Sequence, residues 1–222
     1  LEDIKKAVFS TLKSNNMRDD THIRLTLTRG IKITSGMNPR LNQSGCTLIV
    51  LAEWKSAIYH NRKLRLVTSN IRRNSPLCLD SKIHHANLIN NILAKIEANH
   101  ANVDDALMLD LDGFVAETNS TNIFMIKDGI IITPFPKACL AGITRSLIFK
   151  ICKQNNIPIK EQNISVTQLY NADEVFTSGT MGELAKVVEI DNRKIENKGF
   201  MLDKIKSLFR KLTENEGEKL PF

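Results

Sequence analysis

The sequence predicts an α+β protein with a small N-terminal lobe and a larger C-terminal lobe. Helical apolar stripes are interleaved with apolar runs of strand length along the whole chain. A polar stretch from Ser69 to Ser81, containing Pro76, breaks that alternation and reads as a linker. No internal repeat is evident, and 222 residues suit one large domain or a small lobe joined to a larger one. The expected division is residues 1–70, a connecting segment 71–84, and a larger lobe 85–222.

Taken in order, Ile4, Ala7, Val8 and Leu12 repeat at helical spacing until Asn15-Asn16. Ile23, Leu25 and Leu27 alternate with polar residues, as in a half-buried strand. Cys46 to Ala52 is a continuous apolar run, expected as a strand buried on both faces. Leu64 to Thr68 reads as another strand. Leu88, Ile89, Ile92, Leu93 and Ile96 then form one apolar helical stripe, with Asn87 the expected N-cap. A strand around Ala106 to Leu111 follows, and a hairpin forms around Asp128-Gly129. A helix begins near Ile143. Strands near residues 157–162, 174–177 and 184–190 surround a short helix at 166–171. The last helix carries Leu202, Ile205, Leu208, Phe209 and Leu212, and the polar tail from Thr213 is expected to fray.

Composition narrows the function classes. Hydrophobic residues make up 42% and charged residues 25%, which supports a core and argues against disorder. No apolar run approaches the roughly 20 residues of a membrane span, and no secretory signal opens at Leu1. The expected compartment is cytoplasmic or an organellar matrix. The net charge of +7 raises nucleic acid as a partner, yet the basic residues are scattered and only 5% of residues are aromatic. A solvated basic face is the better expectation, with acidic small molecules, phosphates included, kept as candidate ligands. Cys46, Cys78, Cys139 and Cys152 form no C-x-x-C pair, so reduced thiols and no metal site are expected.

Two segments have the chemistry of anion cradles. In Leu140-Ala141-Gly142-Ile143-Thr144-Arg145, a glycine precedes a helical pattern, offering free N–H groups, a hydroxyl and the helix dipole. In Thr177-Ser178-Gly179-Thr180-Met181-Gly182, a polar glycine loop follows a strand. A lone acid, Glu117, lies in a third polar stretch between two strands.

Several longer motifs contain these features: RLTLTRG (Arg24–Gly30), NLINNILAKIEA (Asn87–Ala98), DGFVAETNSTNIF (Asp112–Phe124), LAGITR (Leu140–Arg145) and ADEVFTSGTMGEL (Ala172–Leu184). Together the chain resembles the fold type IV pyridoxal-phosphate enzymes, which include branched-chain and D-amino-acid aminotransferases. The resemblance implies the two-lobed fold of that class, with the N-terminal lobe truncated. It also implies pyridoxal 5'-phosphate as cofactor, an amino acid and a 2-oxo acid as substrates, and a homodimer. Glu117 matches the acid at the pyridine nitrogen. Ile143, Thr144 and Thr180 match the phosphate contacts, and Met181 the loop backbone near the substrate carboxylate.

Two positions depart from the family pattern. His84 falls where the Schiff-base lysine belongs, and an imidazole moves protons but forms no stable imine. Lys82 is the nearest amine, two residues away. Leu88 stands where branched-chain members place a tyrosine. The expected function is therefore pyridoxal-phosphate-dependent amino-group transfer of the branched-chain type, with His84 as candidate base. The alternatives are a non-catalytic relative kept for binding or assembly, and an aminodeoxychorismate-lyase-like enzyme.

Overall fold

The computed structural model describes residues 1–55, 63–196 and 198–222. The chain forms two compact units, Leu1–Ala57 with Gly217–Phe222, and Ile58–Glu216.

In the smaller unit, α1 (Glu2–Ser14) buries Leu12 and carries Glu2 and Asp3 at its positive end and Lys13 at its negative end. It packs on β2 (Thr47–Trp54), which pairs antiparallel with β1 (Thr21–Thr28), Leu25 opposite Val50. The expectation that β2 is buried on both faces is corrected: Ile49 and Leu51 are 51% and 55% exposed. A two-stranded sheet with one helix against it covers one face only. The expected frayed tail is also corrected. Lys5 pairs with Glu218 at 2.9 Å, and Arg18 donates to the Phe222 carbonyl at 2.8 Å while lying over its ring.

The larger unit is built on a nine-stranded sheet. Its strands are β3 (Lys63–Thr68), β4 (Asp105–Leu109), β5 (Val115–Thr118), β6 (Asn122–Lys127), β7 (Ile130–Thr133), β8 (Ile159–Glu161), β9 (Glu174–Gly179), β10 (Glu183–Ile190) and β11 (Arg193–Lys194). The order is β5-β4-β3-β10-β9-β6-β7-β8, with β11 on β10. β3 runs parallel to both β10 and β4, and Leu64 and Leu66 are buried in the core. The expected first lobe ending at residue 70 is therefore too long: β3 belongs to the large sheet. The stretch expected as a linker also lies inside this unit, with Arg73 and Ser81 buried.

Alternation along the central strands sends side chains to two cores. Ile123, Met125, Val175 and Val187 face one side, under Leu169 of α4 (Val166–Tyr170). Phe124 and Phe176 face the other and stack with centroids 4.8 Å apart. That second core is closed by Ile148 and Ile151 of α3 (Ile143–Gln154) and by Leu202, Ile205 and Phe209 of α5 (Met201–Asn215). The start of α5 has no side-chain cap of its own. Buried Glu174 accepts from the Met201 and Leu202 amides at 2.9 and 3.3 Å and satisfies those donors instead. The β6–β7 turn has Asp128 and Gly129 at φ 50° and 74°, the left-handed pair that a tight hairpin needs.

Helix α2 (Ile89–His100) differs most from expectation. Ala94 and Ala98 are fully buried against Ala106 and Met108, small side chains that let the helix lie close to the sheet. The apolar stripe is the outer face, with Ile89 61% and Ile92 57% exposed. Asn87 is not the cap; the helix starts later, with Leu88 at the N-cap and no side-chain bond. No helix among the described residues is long and apolar enough to cross a membrane.

Candidate functional site

Residues of three of the motifs, around Glu117, Gly142 and Thr180, line one cavity of the larger unit. Asn122 at the start of β6 sits opposite Ser178 near the end of β9. Glu117 is the third residue of β5, not a loop residue as expected, and is only 6% exposed. The polar run after it is a closed turn. The Thr118 amide donates to the Thr121 carbonyl at 2.8 Å, and the Thr118 hydroxyl accepts from the Thr121 amide at 3.0 Å. Asn119 Oδ1 accepts from the Ala106 amide at 2.7 Å. Side-chain oxygens thus satisfy the buried backbone and hold the Glu117 carboxyl in place.

That carboxyl faces Arg73, whose Nη2 lies 2.9 Å from Glu117 Oε1. Arg73 is itself fixed by the Ala138 carbonyl at 3.1 Å, Asn91 Oδ1 at 2.6 Å and Ser81 Oγ at 2.9 Å. Burial pushes the Glu117 pKa up to about 7, against the pull of Arg73 and of a backbone hydrogen bond from Leu140. The group is poised between its charged and neutral forms near neutral pH. Neighbouring Cys139 is pushed up to about 12 by burial and stays a thiol.

Gly142 opens α3 at φ 65° and ψ 124° with no side-chain cap. The first-turn amides of α3 are therefore left for a ligand, at the positive end of the helix. A Cβ on Gly142 would stand 2.0 Å from Asn122 Oδ1, so only glycine lets the helix start approach β6. Asn122 in turn donates to the Leu140 carbonyl at 2.8 Å. Across from this start lies the β9–β10 turn. On the strands that flank it, the Ser178 hydroxyl of β9 is buried without a hydrogen-bond partner, and Glu183, which opens β10, adopts φ 50°.

A cavity of about 550 Å³ is lined by His84, Glu117, Ile143, Thr144, Thr180 and Met181. Lys82 is not on its wall; its ammonium lies 2.9 Å from Asp80 Oδ1 at the surface. Lys95 of α2 does line the cavity, where it bonds the Asp104 carbonyl and lies 3.2 Å from Asp105 Oδ1. His85, next to His84, has both ring nitrogens buried without a hydrogen-bond partner. Sequence reasoning missed Arg73, Asn122 and Lys95. Arg73 was hidden in a stretch whose composition reads as a linker.

Residues 1–190 match the family model described as amino-transferase class IV. The chain belongs to the class IV aminotransferase family. Among its class IV relatives, the branched-chain-amino-acid aminotransferase-like protein 2 of Arabidopsis thaliana is 56% identical over 99% of this chain and 40% of its own length. The putative branched-chain-amino-acid aminotransferase of Methanocaldococcus jannaschii is 36% identical over 99% of this chain and 76% of its own. A crystal structure of the branched-chain aminotransferase of Thermoproteus uzoniensis, with norvaline, superposes with a TM-score of 0.86 at 28% identity. That match covers 99% of this chain and 73% of the other. A further branched-chain amino acid aminotransferase, complexed with N-(5'-phosphopyridoxyl)-L-glutamate, superposes equally well at 30% identity, over 99% of this chain and 72% of its own. The class IV fold of the family is therefore the fold of this chain. The chain spans about 40% of the length of the Arabidopsis relative.

Proposed function

We propose that the protein binds pyridoxal 5'-phosphate in this cavity and moves amino groups between an amino acid, of the branched-chain type, and a 2-oxo acid. The carrying observation is the buried Glu117 carboxyl on the wall of a cavity that also holds an uncapped helix start. The fit is chemical. The Ile143 and Thr144 amides, the Thr144 and Thr180 hydroxyls and the unpartnered Ser178 hydroxyl supply donors for a phosphate. A carboxyl poised near pH 7 suits a pyridine nitrogen.

When bound, the cofactor supplies an electron sink for the carbon losing its proton. The chain's own groups orient and shuttle. Glu117 holds the ring nitrogen's proton, and Arg73 fixes Glu117 in position and biases its charge. The loop at Met181 receives the substrate carboxylate through its backbone. His84 would move a proton between the substrate's α-carbon and the cofactor carbon that takes up the amino group, in one direction for the first half of the transfer and in the other for the second. A second reading, a protein that holds the cofactor without turnover, is favoured by the imidazole at position 84.

Titration with pyridoxal 5'-phosphate, followed by absorbance, tests the binding claim. A saturable spectral change is expected below the millimolar range. No change at high micromolar cofactor would remove the cavity as its site. The proposal includes a homodimer, because α2 presents Ile89, Ile92, Leu93 and Ile96 to solvent as one apolar face. Light scattering at micromolar concentration should give twice 25.0 kDa, and Ile92→Glu should shift the mass toward 25.0 kDa. A wild-type protein that scatters only as a monomer contradicts this.

A further inference from the structure

We propose that the cavity selects the amine form of the cofactor, pyridoxamine 5'-phosphate, over the aldehyde form, with His84 setting the preference. The inference rests on the cofactor reading above but concerns a different quantity: which oxidation and amination state the empty protein prefers.

An aldehyde gains most of its hold when a protein amine condenses with it, because the positioned nitrogen attacks with a high effective concentration. The amines around this cavity are badly placed for that. Lys82 is off the wall and engaged by Asp80, whose carboxylate also accepts from the Lys82 amide at 3.0 Å. Lys95 is the one lysine lining the cavity among the described residues, and residues 56–62 and 197 contain none. Its ammonium is held between the Asp104 carbonyl and the Asp105 carboxylate. A protonated nitrogen in an ion pair has no lone pair to donate. The aldehyde form therefore keeps only its phosphate and ring contacts.

The amine form loses nothing by the missing lysine. Its primary amine needs a hydrogen-bond acceptor at the reacting end, and an imidazole nitrogen of His84 on the cavity wall can serve. A lysine at this position would capture the aldehyde form covalently, an advantage that an imidazole does not give it. Histidine thus removes the covalent preference for the aldehyde and leaves an acceptor for the amine.

Binding of both forms to the full chain can be measured by calorimetry, alongside borohydride treatment and peptide mass analysis. The parent is expected to bind pyridoxamine 5'-phosphate at least about tenfold tighter than pyridoxal 5'-phosphate, a gap of about 1.4 kcal/mol. Borohydride should leave no adduct on it. In His84→Lys the order should invert. There the lysine nitrogen bonds the aldehyde carbon, water leaves, and borohydride adds hydride to give a stable secondary amine at residue 84. His84→Ala provides an independent arm, with weaker amine-form binding and unchanged aldehyde-form binding. Equal or tighter aldehyde binding in the parent, or an adduct on Lys82 or Lys95, overturns the inference and leaves the cofactor reading standing. If folded parent protein binds neither form, both fall.

Discussion

Gly142→Ala is expected to lower the unfolding free energy by about 4 kcal/mol, combining a strained backbone with a steric collision. The backbone there sits at φ 65° and ψ 124°, outside the region that side-chain-bearing residues adopt cheaply. The new methyl would meet Asn122 Oδ1 at 2.0 Å and Arg145 Cβ at 3.1 Å. Asn122 cannot simply swing aside, because its amide is bound to the Leu140 carbonyl. Relief by moving the helix start would take the Ile143 and Thr144 amides out of the cavity. Chemical denaturation should therefore show the stability loss, and pyridoxal 5'-phosphate titration of the folded fraction a much weaker complex. Gly129→Ala is the control: its φ is 74°, but a Cβ there meets nothing within 4 Å. It should cost about 1 kcal/mol and leave cofactor binding alone. Equal losses in the two variants would show that the approach to Asn122 is unimportant.

Glu117→Gln is expected to make the protein less able to bind cofactor and, above neutral pH, more stable. The folded pKa of about 7 lies above the ordinary value of 4.5. Between those values the folded protein holds a proton that the unfolded chain has released. Stability therefore falls as pH rises through that window and levels off above about pH 7. The largest swing is about 3 kcal/mol, from roughly 2.5 pK units at 1.36 kcal/mol each. Glutamine cannot titrate, so the variant should lack this decline, and its advantage over the parent should grow between about pH 5 and pH 8. Denaturation at several pH values decides the matter; parallel profiles for the two proteins would show that Glu117 does not titrate in this range. An acid that costs stability where it sits, yet faces a cavity, is the trade expected of a working group rather than a structural one.

How far these features could be read in advance depended on the kind of signal. The stripe of Leu202, Ile205 and Phe209 gave α5 its place because every apolar member reaches the core. The α2 stripe predicted a helix equally well, yet its apolar face is the exposed one. Periodicity reports that a helix has two unlike faces; it does not say what covers them. The packed face is marked by Ala94 and Ala98, small residues that hydropathy barely registers. In the site, Gly142 and Thr144 were legible because helix starts have local chemistry. Arg73 was not, because its meaning comes from Glu117, 44 positions downstream by numbering and 2.9 Å away in space. Glu117 itself read as part of a polar stretch between strands because its neighbours are hydroxyls and amides. Those side chains turn inward to close the turn after Thr118.

The return of Gly217–Phe222 to the unit that holds α1 has a consequence for synthesis. In sequence, the large unit is an insertion between two pieces of the small one. A ribosome emits α1, β1 and β2 before the large sheet, but their contacts from Glu218 and Phe222 arrive after it. Domains commonly acquire structure in the order in which they emerge. The contacts of Glu218 and Phe222 to Lys5 and Arg18 therefore form only after the chain of the large unit has been made. Joining segments so distant in sequence also carries a loop-closure cost, which grows only slowly with the length of the intervening chain. A chain released without Gly217–Phe222 would keep every strand of the nine-stranded sheet and lose the contacts that Glu218 and Phe222 make to Lys5 and Arg18.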